Sequence, residues 1–249
     1  MNLPAPETVR TAFARMFPPA CAGCDGSSTP TTAFCDVCRP VAPRLTPPYC
    51  ARCAVPMTTF DADDDAADGT DAPSECSRCR KESPSFDAVA ACWEYDEAVA
   101  DAMRRIKYGG DLPALRALCR GARPWFRRQL QRLADDTPLV PVPTHPVQLR
   151  RRGFHVPNLA LRWLGIADRT RHLLRKVRPT PQQAGLSLAE RKKNVRDVFH
   201  APNDTPPGAH AVIFDDVMTT GATADAAAAA LKNAGFARVS IVVLARAVS

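Results

Sequence analysis

The sequence AVIFDDVMTTGAT, residues 211–223, decides how the rest of the chain is interpreted. It opens with a short apolar run of the length expected for a buried strand. Asp215 and Asp216 follow directly, where such a strand would leave the core. Small hydroxylated residues then surround Gly221, and the helical pattern DAAAAALKNAG ends at Gly235, a typical residue just beyond a helix. The stretch therefore predicts a strand, a tight turn and the start of a helix.

This predicted turn suits a phosphate group. Free backbone N–H groups at a helix start lie at the positive end of the helix dipole, where phosphate is the usual ligand. Gly221 allows close approach because it has no Cβ. The carboxylates of Asp215 and Asp216 can accept hydrogen bonds from two sugar hydroxyls, or hold a divalent cation beside the phosphate. The alternative is an acidic turn that only caps a helix. Neither GxxxxGK[ST] nor GxGxxG occurs, which excludes a Walker loop and the dinucleotide fingerprint.

These residues resemble the phosphoribosyl-pyrophosphate loop of type I phosphoribosyltransferases. The resemblance implies that Asp215 and Asp216 bind the ribose 2′ and 3′ hydroxyls, and that Mg²⁺ accompanies bound phosphoribosyl pyrophosphate. It also implies a phosphoribosyl-binding loop made of Thr219, Thr220, Gly221, Ala222 and Thr223. Purine-salvage members often have an acid at the position of Thr219 that acts on the nucleobase, and this chain departs from them there.

Eight of the ten cysteines form four CxxC pairs before residue 80. Each pair places two thiolates on one turn, and two such turns complete a tetrahedral S₄ site of the kind that holds structural zinc. No apolar leader precedes the cysteines, so zinc is expected rather than a disulfide framework, and a redox role would need one exposed pair rather than four. The simplest grouping is sequential, with interleaved pairing as the alternative: Cys21, Cys24, Cys35 and Cys38 around one zinc, and Cys50, Cys53, Cys76 and Cys79 around the other.

The remaining pattern predicts an α/β body behind this cysteine-rich front. Short apolar runs alternate with helical patterns, which favours a mostly parallel sheet. We expect an N-terminal helix over residues 1–17, a double zinc ribbon over 18–82 and a phosphoribosyltransferase-like domain over 86–249. The ribbon contains an acidic spacer, 61–75, that is almost free of large apolar residues. The sequence contains no run of about eighteen apolar residues, so no transmembrane segment is expected.

The net charge of +7 is unevenly distributed. Residues 102–200 hold 22 Lys and Arg against 6 Asp and Glu, and the rest of the chain is acidic. This excess predicts a polyanionic ligand near the middle of the chain, with a solvated basic surface as the alternative. The candidates for binding pyrophosphate or DNA are Lys107, Thr144, His145, Arg150, Arg151, Arg152 and Gly153, the last four predicted to open a helix that runs through Trp163. A long polar and basic segment, 173–198, is of a length typical of functional or mobile loops. If the protein is an enzyme, its part 178–194 is predicted to close over the site as a flexible loop that carries the catalytic candidates Arg178, Gln183, Arg191 and Lys192.

Seven motifs occur in an order that resembles the ComF family. After the CxxC pairs come Lys107-Tyr108-Gly109-Gly110, Pro141-Val142-Pro143, Arg152-Gly153-Phe154, Thr180-x-x-Gln183-x-x-Leu186, Arg191-x-x-Asn194 and the Asp215 loop. The resemblance implies a double zinc ribbon joined to a phosphoribosyltransferase-like domain. It also implies a cytoplasmic role in natural competence, at the inner face of the membrane, with single-stranded DNA and a competence helicase or other uptake proteins as partners. The usual Asn-Gln after Arg-Gly-Phe is His155-Val156 here.

Two functions follow from these patterns. The first is binding of phosphoribosyl pyrophosphate or a nucleotide, linked to DNA uptake. Aromatic residues among the arginines favour it because bases stack on them. These residues are Tyr108, Trp125, Phe126, Phe154 and Trp163, although Phe126 and Trp163 have the spacing of core residues. The alternative is an active phosphoribosyltransferase that serves nucleotide salvage with an unidentified nucleobase as acceptor.

Overall fold

The computed structural model describes residues 19–24, 26–57, 75–177, 198–202 and 209–247. The predicted N-terminal helix, most of the acidic spacer and the candidates Arg178, Gln183, Arg191 and Lys192 lie outside the described residues. In chain order the elements are α1 (Ser77–Glu82), β1 (Ala88–Glu94), α2 (Glu97–Arg104), a π-helical turn (Arg105–Gly109), α3 (Leu112–Leu130), β2 (Leu139–Pro141), α4 (Pro146–Arg152), α5 (Val156–Leu164), a 3₁₀ turn (Ala167–Arg169), β3 (Arg175–Lys176), β4 (Phe199–His200), β5 (His210–Met218), α6 (Ala222–Asn233) and β6 (Arg238–Arg246).

The central sheet has four parallel strands in the order β1-β6-β5-β2. Parallel neighbours need crossover connections, and the helices between the strands provide them. A second, two-stranded sheet pairs β3 with β4 in antiparallel fashion. The predicted mixed α/β class with a mostly parallel sheet is therefore confirmed. In the described part of the chain, no helix is long and apolar enough to cross a membrane.

Strand β5 contributes to a core on each face of the sheet. Val212 and Phe214 pack with residues of α2, α3 and α5, whereas Ala211 and Ile213 pack with residues of α6. This alternation follows from the two-residue period of a strand, and both faces are apolar because both are covered. Each core also contains one cysteine group, the first with Cys21 and the second with Cys50. The division into separate domains at residues 18–82 and 86–249 stays a prediction.

The predicted end of β5 is wrong. The strand does not stop at Phe214 but runs to Met218, so Asp215 and Asp216 lie within it. The apolar run ends at Phe214, but pairing with β6 continues, with Asp215 opposite Val243 and Met218 opposite Arg246. Strand β2 stops earlier, with Pro141 opposite Phe214. The acids therefore lie on the part of β5 that extends beyond β2.

The prediction that Arg150, Arg151 and Arg152 open a helix is also wrong. They form the last turn of α4, and Gly153 ends this helix with a φ of 82° and an N–H that donates to the Leu149 carbonyl at 2.8 Å. Basic residues in a last turn and a glycine beyond it are a favourable helix end, because they complement the negative end of the helix dipole. A separate helix, α5, begins at Val156.

The first cysteine region packs closely on α3. A Cβ on Gly121 would lie 2.6 Å from the Ala33 Cβ and 2.7 Å from the Ala33 nitrogen. Next to it, Arg120 donates hydrogen bonds to the carbonyls of Thr32 and Ala20, each at 3.0 Å. Gly121 is therefore required by close contact between two backbones.

We predict that Gly121→Ala destabilises the protein. Overpacking of this kind costs about 1–3 kcal/mol, and it outweighs the gain of up to about 1 kcal/mol from replacing glycine in a helix. Urea unfolding monitored by circular dichroism measures the difference. Gly109→Ala is the control, because a Cβ there meets nothing within 4 Å. Equal stability of Gly121→Ala and the native chain would show that the cysteine region can move away from α3 at no cost.

Candidate functional site

The eight CxxC cysteines form two groups of four. Within each group the sulfur atoms lie within 4.8 Å of one another, and the grouping is the sequential one. The Sγ atoms of Cys24 and Cys35 are 3.8 Å apart, as are those of Cys53 and Cys76. A tetrahedral zinc with bonds of about 2.3 Å to sulfur requires a sulfur–sulfur separation of about 3.8 Å. We call the groups the first cysteine site (Cys21, Cys24, Cys35 and Cys38) and the second cysteine site (Cys50, Cys53, Cys76 and Cys79).

The surroundings of the sulfurs also fit thiolates that bind a metal. Backbone N–H groups of Gly23 and Cys35 donate to the Cys21 Sγ at 3.3 and 3.2 Å. In the second cysteine site, the Cys76 N–H donates to the Cys50 Sγ at 3.2 Å. Such outer hydrogen bonds orient metal ligands. Four thiolates complete a tetrahedral zinc site, which indicates a structural rather than a catalytic ion.

The two remaining cysteines are core residues. Cys92 and Cys119 are fully buried, and burial raises the pKa of each thiol to about 12. Both are therefore neutral thiols at physiological pH, which excludes them as ready nucleophiles.

An acid pair and a lysine meet at the carboxyl end of β5. The Lys107 Nζ lies 2.9 Å from the Asp216 Oδ1, and Asp216 is only 5% exposed. Lys107 belongs to the π-helical turn that continues α2, and Gly110 ends this turn with a φ of 70°. Turns of this type are frequent at functional sites. The carboxyl edge of a parallel sheet is also where such folds bind ligands.

The two carboxylates share this one cation. Burial and the neighbouring Asp216 raise the pKa of Asp215 to about 7, although Lys107 acts in the opposite direction. Burial disfavours the Lys107 ammonium, but Asp216 and Asp215 outweigh this effect and raise the pKa of Lys107. The lysine therefore stays charged, and Asp215 loses its proton only near neutral pH.

The predicted phosphate loop, residues 219–223, connects β5 to α6. Gly221 has a φ of 81°, a conformation that favours glycine, and it directly precedes the first residue of α6. A Cβ on Gly221 would lie 2.6 Å from the terminal methyl carbon of Met218. The loop and Asp215 line a small cavity of about 40 Å³ at the N-terminus of the helix. Loop and acids are thus neighbours, as the sequence pattern requires.

Lys107 also contributes to a larger cleft of about 410 Å³. We call it the basic cleft; it is lined by Lys107, Tyr108, Gly109, Gly110, Gln148, Arg151, Arg152 and Phe154. Tyr108 is 67% exposed. Of the predicted pyrophosphate or DNA candidates, Lys107, Arg151 and Arg152 are thus brought together. Thr144, His145, Arg150 and Gly153 do not line this cleft.

His145 and Thr144 have local contacts instead. The His145 Nδ1 accepts the Val147 N–H at 3.3 Å and thereby caps α4. The Thr144 nitrogen lies 3.2 Å from the Nε2 of His155. Both residues follow β2 at the carboxyl edge, but their observed contacts only fix the start of α4 and the loop before it.

His155 is a site residue that the sequence pattern did not reveal. Its Nδ1 accepts the Asn158 N–H at 3.2 Å, and its Nε2 lies 3.0 Å from the Val142 carbonyl. The ring therefore caps α5 and ties it to the end of β2. Burial lowers the pKa of His155, which keeps the ring neutral. Asn, which ComF proteins usually have here, is also a common helix N-cap, so the change preserves the capping role.

Several arginines of the basic segment hold the fold together. Arg105 donates to the Ala22 carbonyl at 2.6 Å, Arg120 to that of Thr32, and Arg169 to that of Thr137 at 3.1 Å. Arg123 donates to the Trp163 carbonyl. These guanidiniums already have structural partners, so the charge excess overstates the surface available to a polyanion. Outside the predicted basic segment, Arg78 and Arg246 donate to carbonyls of the phosphate loop, and no sequence motif marks either of them.

These observations define a class of protein that combines a parallel α/β sheet with two Cys₄ sites. The two Cys₄ sites fit a double zinc ribbon. No protein-family model matches the chain. Competence protein F of Haemophilus influenzae is 26% identical over 208 residues, which cover 80% of this chain and 85% of that protein. DNA utilization protein YhgH of Salmonella typhimurium is 28% identical over 221 residues, 86% of this chain and 90% of that protein. YhgH of Escherichia coli K12 is 27% identical over 219 residues with the same coverage. These similarities agree with the resemblance of the motif order to the ComF family.

We predict about two zinc ions per native chain, measured by mass spectrometry of the metal content. Cys35→Ser/Cys38→Ser is expected to lower the content to about one ion, because it removes two ligands of a single site. Cys92→Ser/Cys119→Ser is the control and should leave the zinc content unchanged. A native content of one ion would mean that one of the two groups holds no zinc.

We also predict that Asp215 makes the protein less stable as the pH rises. Its folded-state pKa of about 7 lies above that of an unfolded aspartate, so the folded state binds this proton more tightly. The free energy of unfolding should therefore fall as the pH rises from about 4 to about 7. Above that range, the ionisation of Asp215 should cause no further decrease. Asp215→Asn should weaken this fall, as measured by urea unfolding at pH 5 and pH 8. Asp135→Asn, at an exposed position, is the control. An unchanged pH dependence in Asp215→Asn would contradict the elevated pKa.

Proposed function

We propose that the protein binds phosphoribosyl pyrophosphate or a phosphoribosyl or nucleotide group at the carboxyl edge of its sheet, and acts in the uptake of single-stranded DNA. One observation carries the first part. The acid pair Asp215 and Asp216 lies beside a glycine loop at the start of α6, with Lys107 at 2.9 Å from Asp216. The names of the similar proteins, a competence protein and DNA utilization proteins, support the second part.

In this proposal, two sets of protein groups bind two different parts of the ligand. Asp215 and Asp216 accept hydrogen bonds from the ribose hydroxyls, and the amides and hydroxyls of residues 219–223 bind the 5′-phosphate at the positive end of α6. Lys107 neutralises the acids when the site is free. Once the ribose occupies the carboxylates, Lys107 becomes available to the pyrophosphate. Mg²⁺, when bound with the ligand, would supply further positive charge beside the acids.

The basic cleft continues this site. Arg151 and Arg152 line it together with Lys107, and guanidiniums bind phosphate oxygens through paired hydrogen bonds. Tyr108, largely exposed at its wall, offers a ring on which a base can stack. The cleft thus suits either the pyrophosphate of one ligand or successive nucleotides of a single strand. We propose that further contacts to the ligand come from Thr144, His145, Arg150 and Gly153. We also propose that the closing loop contributes Arg178, Gln183, Arg191 and Lys192.

An active phosphoribosyltransferase is the second candidate. It is favoured by the convergence of three cations, Lys107, Arg151 and Arg152, on one cleft beside the acids. In this reaction the C1′–O bond to pyrophosphate breaks, a C1′–N bond to the base forms, and the base loses its N–H proton. The three cations would neutralise the leaving pyrophosphate.

The same proposal implies which partners the protein has and where in the cell it works. DNA uptake requires partners that move the strand, and a competence helicase or another uptake protein at the inner face of the membrane is the partner class that we propose. The protein would then work in the cytoplasm, with the zinc ribbons as a surface for protein or nucleic acid.

We predict that the native chain binds phosphoribosyl pyrophosphate in isothermal titration calorimetry, and that Asp215→Ala/Asp216→Ala weakens this binding at least about tenfold, since two charge-assisted hydrogen bonds are lost. The control is Asp135→Ala/Asp136→Ala, another adjacent acid pair at exposed positions. Pyrophosphate release with a panel of nucleobases separates the two candidates, because only a transferase turns over. Absence of binding by the native chain would refute the phosphoribosyl site.

We predict that Arg151→Ala/Arg152→Ala weakens binding of single-stranded DNA. The slope of log K against log salt concentration should become shallower by about 1.4, since each lost phosphate contact contributes about 0.7. Fluorescence anisotropy with a labelled oligonucleotide at several salt concentrations gives this slope. Arg127→Ala/Arg128→Ala, an exposed arginine pair on α3, is the matched control. The same slope in both variants would show that the basic cleft does not bind the strand.

A further inference from the structure

The second cysteine site is joined to the phosphate loop by a buried arginine. Arg246, the last residue of β6, is 1% exposed. Its Nε donates to the Cys53 carbonyl at 2.9 Å, and its Nη1 donates to the carbonyls of Met218 and Thr219. One guanidinium therefore contacts a metal-ligand residue and the start of the loop at once.

A second arginine makes a parallel connection. Arg78 lies in α1 between the ligands Cys76 and Cys79, and its Nη2 donates to the Thr220 carbonyl. The same atom would lie 3.5 Å from a Cβ on Gly221. The position of Arg78 depends on the turn that the second cysteine site closes, because this residue is enclosed between two of its ligands.

These contacts fix the direction of the amides that would bind phosphate. A trans peptide is planar, and its C=O and the following N–H point in opposite directions. Holding the Thr219 carbonyl therefore orients the N–H of Thr220, and holding the Thr220 carbonyl orients the N–H of Gly221. Both amides precede the first residue of α6 and are directed away from the arginines. The two guanidiniums thus orient the N–H groups of the loop by binding its carbonyls, without contacting the N–H groups themselves.

We propose that Arg78 and Arg246 are positioning residues through which metal in the second cysteine site orders the phosphate loop. Metal binding and ligand binding are then thermodynamically linked, so each strengthens the other. The first cysteine site has contacts of another kind, with Arg120 donating from α3 to the Ala20 carbonyl and Arg105 to that of Ala22. The identity of the ligand rests on the proposed function, but the ordering of the loop does not.

Hydrogen–deuterium exchange of the full chain tests the ordering directly. Cys76→Ser/Cys79→Ser removes two ligands of the second cysteine site, and Cys35→Ser/Cys38→Ser removes two of the first. We expect amides 219–224 to exchange at least about tenfold faster in the former variant and at the native rate in the latter. Equal rates in the two variants, whether both fast or both native, would overturn the proposal.

A variant with intact cysteines keeps the test valid if the cysteine variant does not fold. Arg78→Met should speed exchange of the same amides and weaken binding of phosphoribosyl pyrophosphate about tenfold, with the zinc content unchanged. Arg80→Met, two residues along the same helix and outside the loop contact, is the control. Native exchange and native affinity in Arg78→Met would refute the positioning role.

Two further outcomes separate this inference from the proposed function. If phosphoribosyl pyrophosphate does not bind the native chain but the exchange difference is observed, the ligand is wrong and the ordering stands. If the ligand binds and also slows zinc loss to a chelator from the second cysteine site alone, measured in Cys35→Ser/Cys38→Ser, the linkage is confirmed. Binding without any effect on zinc loss or on exchange would overturn it.

Discussion

The burial of one guanidinium is the constraint on which the rest of this structure depends. A buried arginine cannot lose its charge, so its N–H groups must find acceptors inside the protein. Arg246 finds them in the Cys53, Met218, Thr219 and Ala247 carbonyls. These acceptors belong to the second cysteine site, the phosphate loop and the end of the sheet. Removing any of the three would leave part of the charge unpaired, so the three regions are held in one arrangement.

Arginine has the same role elsewhere in the molecule. Arg44 donates to the Gly121 carbonyl at 2.8 Å and lies 4.3 Å from the centre of the Trp93 ring. Arg52 donates to the carbonyl of Pro84 at 2.7 Å. Carbonyls in loops, such as that of Pro84, lack the partners that a helix or sheet would give them, and a planar guanidinium can satisfy two or three acceptors at once. The arginine content therefore reflects how small cysteine-rich loops are fixed to a sheet, and does not by itself indicate affinity for a polyanion.

The sequence predicted those features that depend on local pattern. The strand before Asp215, the helix after Gly221 and the pairing of neighbouring CxxC turns follow from periodicity, glycine position and ligand spacing. Features that depend on distant partners were missed or wrong. Strand β5 is extended by its pairing with β6, and Gly153 ends a helix where the three arginines suggested a start. The role of Arg246 could not be predicted from the sequence either. Apart from Ala247, its hydrogen-bond partners lie 27 to 193 residues away in the chain.

The acid pair shows why such a site needs both a lysine and an ordered loop. Two carboxylates on a partly buried strand repel each other, and one cation at 2.9 Å from Asp216 relieves only part of that repulsion. Burial, together with the repulsion that remains, raises the pKa of Asp215. A ligand that brings hydroxyl donors, or a divalent cation, to these oxygens relieves the remainder and releases Lys107 for a second group. This exchange favours a ligand with a diol next to phosphate. The proposed exchange works only if the phosphate donors are already in place, and holding them there is the role that we propose for Arg78 and Arg246.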